Sequence, residues 1–464
     1  MGQVVDVQIL DSSGNVLWRG SESDYPAALG AIDPDNSALR MLADEDPEHR
    51  CTRDDVMRTA ETLQLVSRQG GPRGFLTTLP RGAVLEAGVD AFNARHLAGL
   101  EVNTVHLPVV FDGSAEPMRA LADQYGEQGR TFEIADADGG ADGGLTLAYA
   151  TDPGLFSWLK DAVLQRARLP YAMYSPQPVF RRFGPDETDI RRRHQFNVPD
   201  VHIWCHPDDV AERYLHALQH AAESTAYWFQ QDYVHVLDSV VGTSHDTDDF
   251  HQRCAKAAGG ITVVRRLAAA RPERYAQQTG ILVSSGYELV TLQNLRLDEV
   301  NASRFNIRMD TGEHPGLIHA RLAMGGSRLL PLLIGRGLSG LGPRVIPAEL
   351  AWHQVVFLPL AEKHVGRAYE LAGPLWIDGV RTAVDLEFKR PIGARIARLR
   401  SEWQPLYCVV GDRELSEQPR FQSGGRTPTD LDYQDFLAEQ LPGWLRCRPD
   451  TPVGTAPLPF AGAS

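Results

Sequence analysis

The chain has 464 residues, 43% of them hydrophobic, and 46 Lys and Arg against 60 Asp and Glu leave a net charge of −14 and a pI near 5.5. At roughly 100–200 residues per domain this predicts two or three units. No apolar run reaches the ~20 residues needed to span a bilayer, and the N-terminus lacks a basic segment leading into an apolar one, so a membrane or secreted protein is disfavoured and a cytoplasmic location follows.

The acidic balance gives no global attraction to nucleic acid, although a local basic groove can still bind phosphates. The five cysteines (Cys51, Cys205, Cys254, Cys408 and Cys447) are scattered without a CxxC pair and read as reduced thiols.

In chain order, VVDVQIL and NVLWRG, joined by the turn signal from Asp11 to Gly14, predict a hairpin, and residues 1–48 read as an appendage outside any core. Apolar spacing between Thr52 and Asn103 predicts amphipathic helices, and VNTVHLPVVF predicts a strand carrying Pro108. After an Asp/Gly-rich loop come a strand at LTLAYA, a helix at SWLKDAVLQRAR and two strands at QPVFRRF and VHIWC. Residues 207–232 predict a helix with Pro207 in its first turn. GILVSSGYELVTLQNLRL has strand character, and HARLAMGGSRLLPLLIG suits a helix or a strand–helix junction. Glycines from Gly335 to Pro347 read as a linker between a unit at 49–340 and one at 347–447. In the second unit strands alternate with helices, which predicts an α/β domain with a largely parallel sheet, and 448–464 reads as a disordered tail.

The densest chemistry is VFRRF, a polar loop, then RRRHQF and DVH over residues 179–202. Arginines on two strands flanking a turn can grip a triphosphate from both sides. The competing reading is an exposed hairpin with solvated charges. This stretch resembles motif 2 of class II aminoacyl-tRNA synthetases. VNTVHLP with Pro108 resembles motif 1, LIHARLAMGGSRLLPLLIG with Arg328 resembles motif 3, and HQVVFLPL through GDRE resembles the anticodon-binding domain of threonyl-tRNA synthetases. The resemblance covers about residues 75–425 and leaves no room for the family's editing domain, so correction of misacylated products in cis is not expected.

What the resemblance implies is a fold and a chemistry. The fold is α/β: a class II antiparallel sheet with flanking helices, followed by an anticodon-binding-type domain with a mostly parallel sheet. The chemistry is activation of threonine or a related polar amino acid by ATP and Mg²⁺, with transfer to tRNA or another acceptor, in a homodimer joined through motif 1. By position, Arg181 would bind the α-phosphate and the amino-acid carboxylate, with Arg192 and Arg328 toward the β- and γ-phosphates. His202 and His319 fall on the histidines of the family's zinc site, Asp152 falls on its cysteine, and Asp200 matches the acceptor for the threonine hydroxyl. Zinc on one carboxylate and two imidazoles keeps an open position. The alternative is that both histidines are hydrogen-bonded core residues and Asp152 caps a helix before Pro153.

Several positions depart from the family. Phe183 replaces the motif 2 glutamate near adenine, His194 replaces an arginine, and Val198 and Arg296 replace pocket glutamines. In the C-terminal unit Glu414 matches an anticodon-reading glutamate or is a turn carboxylate, Phe388 or Lys389 replaces an asparagine, and Ser423 replaces an arginine. Rebuilt amino-acid recognition is expected, and with it either an altered, regulatory paralogue or a ligase that does not use tRNA as rival functions.

Overall fold

The computed structural model describes residues 3–43, 51–114, 116–126, 129–134, 144–184, 187–268, 275–322, 324–417, 419–423 and 431–432. Cys447 and the tail expected at 448–464 lie outside these residues; the other four cysteines are buried free thiols. No helix among the described residues is long and apolar enough to cross a membrane.

The chain opens with strands β1 (Val4–Leu10) and β2 (Val16–Gly20), then helices α1 (Tyr25–Ile32), α2 (Ser37–Leu42) and α3 (Arg53–Thr62). A short pair, β3 (Val66–Ser67) and β4 (Thr77–Thr78), precedes α4 (Pro80–Leu97), β5 (Asn103–Thr104), β6 (Val110–Asp112), α5 (Met118–Gly126), β7 (Leu145–Leu147), α6 (Asp152–Leu159) and β8 (Val163–Leu164). The long hairpin β9 (Tyr171–Phe180) and β10 (Gln195–Cys205) leads to α7 (Val210–Phe229), β11 (Val234–Val240), α8 (Asp248–Ala258) and β12 (Thr262–Leu267). A second hairpin, β13 (Tyr275–Ser284) and β14 (Leu289–Asp298), is followed by α9 (Asn301–Arg304), β15 (Arg308–Met309), β16 (Gly316–Arg321) and α10 (Gly326–Ser339). The C-terminal unit holds β17 (Val355–Pro359), α11 (Val365–Ile377), β18 (Thr382–Val384), α12 (Ile392–Ser401), β19 (Leu406–Val410), β20 (Arg420–Ser423) and β21 (Leu431–Asp432).

The first unit is built on a ten-stranded sheet in the order β2-β1-β12-β11-β13-β14-β16-β10-β9-β5, antiparallel except at β11/β12 and β5/β9. The C-terminal sheet, β18-β17-β19-β20-β21, is parallel at β18/β17/β19 and antiparallel at its β20 and β21 edge. The fold class is therefore the expected mixed α/β one. Local sequence explains several ends: Thr52 and Asp55 form a capping box on α3, Pro80 starts α4, and Gly259 closes α8 at φ +65°.

Four local expectations fail. The N-terminal hairpin is no appendage: β1 pairs with β12, and Val7 and Ile9 are fully buried, so it continues the main sheet. The strand expected across Pro108 is split into β5 and β6, because proline cannot donate to a ladder. The helix expected at SWLKDAVLQRAR ends at Leu159, where the chain turns through Asp161 at φ +61° into β8. The linker expected from Gly335 begins only after α10 ends at Ser339; a Cβ on Gly335 would lie 2.3 Å from the Ser285 carbonyl, so the glycine serves a close helix–hairpin approach.

Candidate active site

Alternation along β10 puts Phe196, Val198, Asp200 and His202 on one face of the sheet. His202 lies opposite His319 of β16, and His319 lies opposite Arg296 of β14, so one row of the sheet carries all three. Above this row, α6 presents its first residue: Asp152 Oδ1 is 2.9 Å from His202 Nε2 and 3.5 Å from His319 Nδ1. The ring of Phe156, one turn along α6, packs against both imidazoles at 6.3 and 5.8 Å. Asp152 is thus not a helix cap; the cap position belongs to Thr151, whose hydroxyl instead donates to Asp200 Oδ2 at 3.3 Å.

The other nitrogen of His319, Nε2, donates to Asp298 Oδ2 at 2.7 Å, and Asp298 is itself fixed by the amides of Val300 and Asn301. Burial pushes the His319 imidazole down, but the carboxylates of Asp152 and Asp298 outweigh it and raise it to about 10. Burial would likewise raise Asp152, yet the charge of His319 and hydrogen bonds from both histidines hold it well below the usual carboxylate range. The ligand atoms of Asp152, His202 and His319 lie within 4.8 Å of one another, the only such group among the described residues. One carboxylate, two imidazoles and a carboxylate behind one imidazole form a donor set that fits zinc.

Next to the trio stands a cluster of arginines. Arg181, just past β9, donates from Nε to the Tyr149 carbonyl at 2.8 Å and lies over the Phe196 ring at 5.5 Å. Arg328, in the first turn of α10, donates to the Thr291 carbonyl. Burial, then the charges of Arg321, Arg181 and Arg191, push Arg328 well below the usual arginine range, with Asp200 acting the other way. Arg191 is held by Glu288 through two bonds of 2.8 and 2.7 Å. Arg192 behaves differently: its amide donates to Asp189 and its charge bears on Glu187, so Arg191 is the loop arginine that joins the cluster. Phe183 stacks on His194 at 6.3 Å under the Arg130 guanidinium, and Val198 is 2% exposed between Phe196 and Asp200.

Residues 354–422 match the family model of an anticodon binding domain. The chain is 22% identical over 367 residues to a threonine--tRNA ligase of Methanosphaerula palustris, covering 78% of this chain and 58% of that one. With the threonine--tRNA ligase of Pyrobaculum calidifontis it is 25% identical over 416 residues, 85% and 65% of the two chains. The chain is a distant homologue of the threonyl-tRNA synthetases. It spans about three-fifths of the length of these relatives. Two solved structures share the fold: one described as the RNA binding domain of threonyl-tRNA synthetase from Cryptosporidium parvum, with a TM-score of 0.68 at 17% identity over 84% of this chain and 98% of that one. The other is Giardia lamblia prolyl-tRNA synthetase in complex with prolyl-adenylate, with a TM-score of 0.65 at 15% identity over 85% and 80%.

Against the threonyl-tRNA synthetase pattern, the structure adds residues that sequence reading missed. Asp298, Thr151, Arg191 and Arg321 all touch the site, and two of them were legible from alternation: Arg296-x-Asp298 and His319-x-Arg321 each put both side chains on the pocket face. In the C-terminal unit Glu414 accepts from the Gly411 amide at 2.8 Å, the arrangement of a turn carboxylate. The Phe388 ring lies 5.5 Å from the buried guanidinium of Arg395, Lys389 is exposed, and Ser423 ends β20 opposite Leu406.

Proposed function

We propose that the chain activates threonine or a related polar amino acid with ATP, forming an aminoacyl adenylate that is passed to tRNA or another acceptor. The observation that carries this reading is the adjacency of two unlike sites on one sheet face. Asp152, His202 and His319 offer a metal to a small polar ligand, while Arg181, Arg191 and Arg328 concentrate positive charge where a polyphosphate would lie.

Arg181, bonded to the Tyr149 carbonyl, is positioned to hold the α-phosphate and the incoming carboxylate. Phe196 supplies a flat surface for a base, and Arg328 and Arg191, rather than the Arg192 expected from position, face the outer phosphates, whose charge Mg²⁺ would help to neutralise when bound. A carboxylate oxygen attacks the α-phosphorus and pyrophosphate leaves, so catalysis is mainly positioning and charge compensation. When bound by Asp152, His202 and His319, zinc supplies Lewis acidity toward an amine or hydroxyl. Asp200, with Val198 and Arg296 beside it, shapes the amino-acid pocket. The reading includes a homodimer and a cytoplasmic setting.

Amino-acid-dependent ATP–pyrophosphate exchange across the standard amino acids tests it. Exchange lost by about 10²-fold or more in Arg181→Ala is the expected result. A folded protein with no exchange on any amino acid would instead favour a paralogue that binds without activating. Phe183 motivates that second reading, because its ring meets His194 where the family places a carboxylate.

A further inference from the structure

Arg321 has no role in the scheme above, yet its placement is specific. It ends β16 two residues after His319, so the two side chains share the pocket face. Its side chain is 13% exposed, and Nε lies 3.8 Å from Asp200 Oδ1. Asp200 in turn accepts from Thr151, the neighbour of Asp152. Among the charges that bear on Arg328, that of Arg321 acts most strongly, ahead of Arg181. It is therefore a largely buried cation that lies by Asp200, shares a strand face with the metal ligand His319, and bears on the phosphate arginine Arg328. In adenylate formation that is where two anions, a carboxylate and an α-phosphate, are forced together and their repulsion must be offset.

We propose that Arg321 binds the reacting carboxylate of the amino acid, with Asp200 as the ion-pair partner that holds it at the pocket; this rests on the adenylation reading. The carboxylate oxygen gives its electron pair to the α-phosphorus, the bond from that phosphorus to the β-phosphate bridging oxygen breaks, and pyrophosphate carries the pair away. Arg321 stays protonated throughout. Its planar fork can meet a carboxylate with two parallel donors, which a lysine ammonium cannot reproduce. Arg321→Lys therefore removes the geometry while keeping the charge.

The test compares wild type, Arg321→Lys and Asp200→Asn, each first checked for wild-type melting temperature. In exchange assays Arg321→Lys is expected to lose about 10²-fold in kcat/KM for the amino acid, with the KM for ATP changed less than about 3-fold. A loss confined to ATP, or one no larger than that of Asp200→Asn and not additive with it, would overturn the assignment by reducing Arg321 to a support for Asp200. If wild type shows no exchange, the adenylation reading fails separately, and calorimetry with threonine and threoninamide decides the arginine: a carboxylate preference present in wild type and absent in Arg321→Lys supports it. An unchanged preference, or no binding of either ligand, overturns it. Should Arg321→Lys melt early, Arg321→Gln read by the same threonine–threoninamide difference replaces it.

Discussion

Two buried histidine–carboxylate clusters sit against the same ten-stranded sheet, and they are balanced in opposite ways. Around β11, Asp246 receives Arg266 at 2.9 and 2.6 Å, the Gly242 amide and the Ser239 hydroxyl, while His251 Nε2 lies 3.2 Å from Ser239 Oγ. Burial pushes His251 toward its neutral form, and the carboxylate is paired with a cation that keeps its proton. Around α6, Asp152 is balanced by His319 and His202, and the charge on His319 is a proton. A proton can be exchanged for a metal; a guanidinium cannot. A superficial Ser–His–Asp likeness therefore marks a closed structural unit, and the plainer Asp–His–His group is the one open to a ligand.

Metal content gives the widest separation. His319→Ala is expected to abolish zinc retention measured by elemental analysis after dialysis. Asp298→Asn, which removes the carboxylate behind His319, should weaken zinc by about 10–100-fold in a competition titration. His251→Ala should leave zinc content unchanged. Equal zinc in His319→Ala and wild type would erase the contrast.

Stability should divide the clusters the other way. Asp246→Ala leaves the two-point partner of Arg266 missing inside the sheet, and a loss of about 3 kcal/mol is expected in urea unfolding. Asp152→Ala, measured without zinc, leaves His319 still paired with Asp298 and is expected to cost less, about 1 kcal/mol. A larger loss at Asp152 would mean that the trio, too, is a structural unit.

How much of this was legible in the sequence follows from the range of the interactions. The alternating strands, the helix caps and the candidates Asp152, His202 and His319 depend on local pattern or motif order, and the structure brings the three together. Charge partners across 97 residues, as for Arg191 and Glu288, or 121 residues, as for Arg321 and Asp200, depend on strand order, which no local window contains. The same limit explains the hairpin at the N-terminus: its own periodicity is that of any exposed hairpin, and only its pairing with β12, more than 250 residues later, buries Val7 and Ile9. Arg191 and Arg192 are adjacent in one loop, and which guanidinium turns inward is set by Glu288 on a different hairpin.

An effect that appears only as a slope with pH concerns a third histidine and sharpens the same distinction. His235 in β11 is fully buried between Thr262 and Thr279, with its ring nitrogens 3.0 and 3.3 Å from their hydroxyls. Having no carboxylate partner in these bonds, it is lowered by burial to about 3, opposite in sign to His319. Between pH 6.5 and about 3 the unfolded chain binds a proton that the native ring refuses, so its contribution to stability falls as pH falls, by up to roughly 1.4 kcal/mol per unit. His235→Gln can keep one threonine hydrogen bond and has no such slope. The stability difference between wild type and variant should therefore shrink by about 2 kcal/mol from pH 7 to pH 5 in urea unfolding. A difference independent of pH would mean that the buried ring takes up its proton without penalty, and that burial alone does not decide which histidines of this sheet stay neutral.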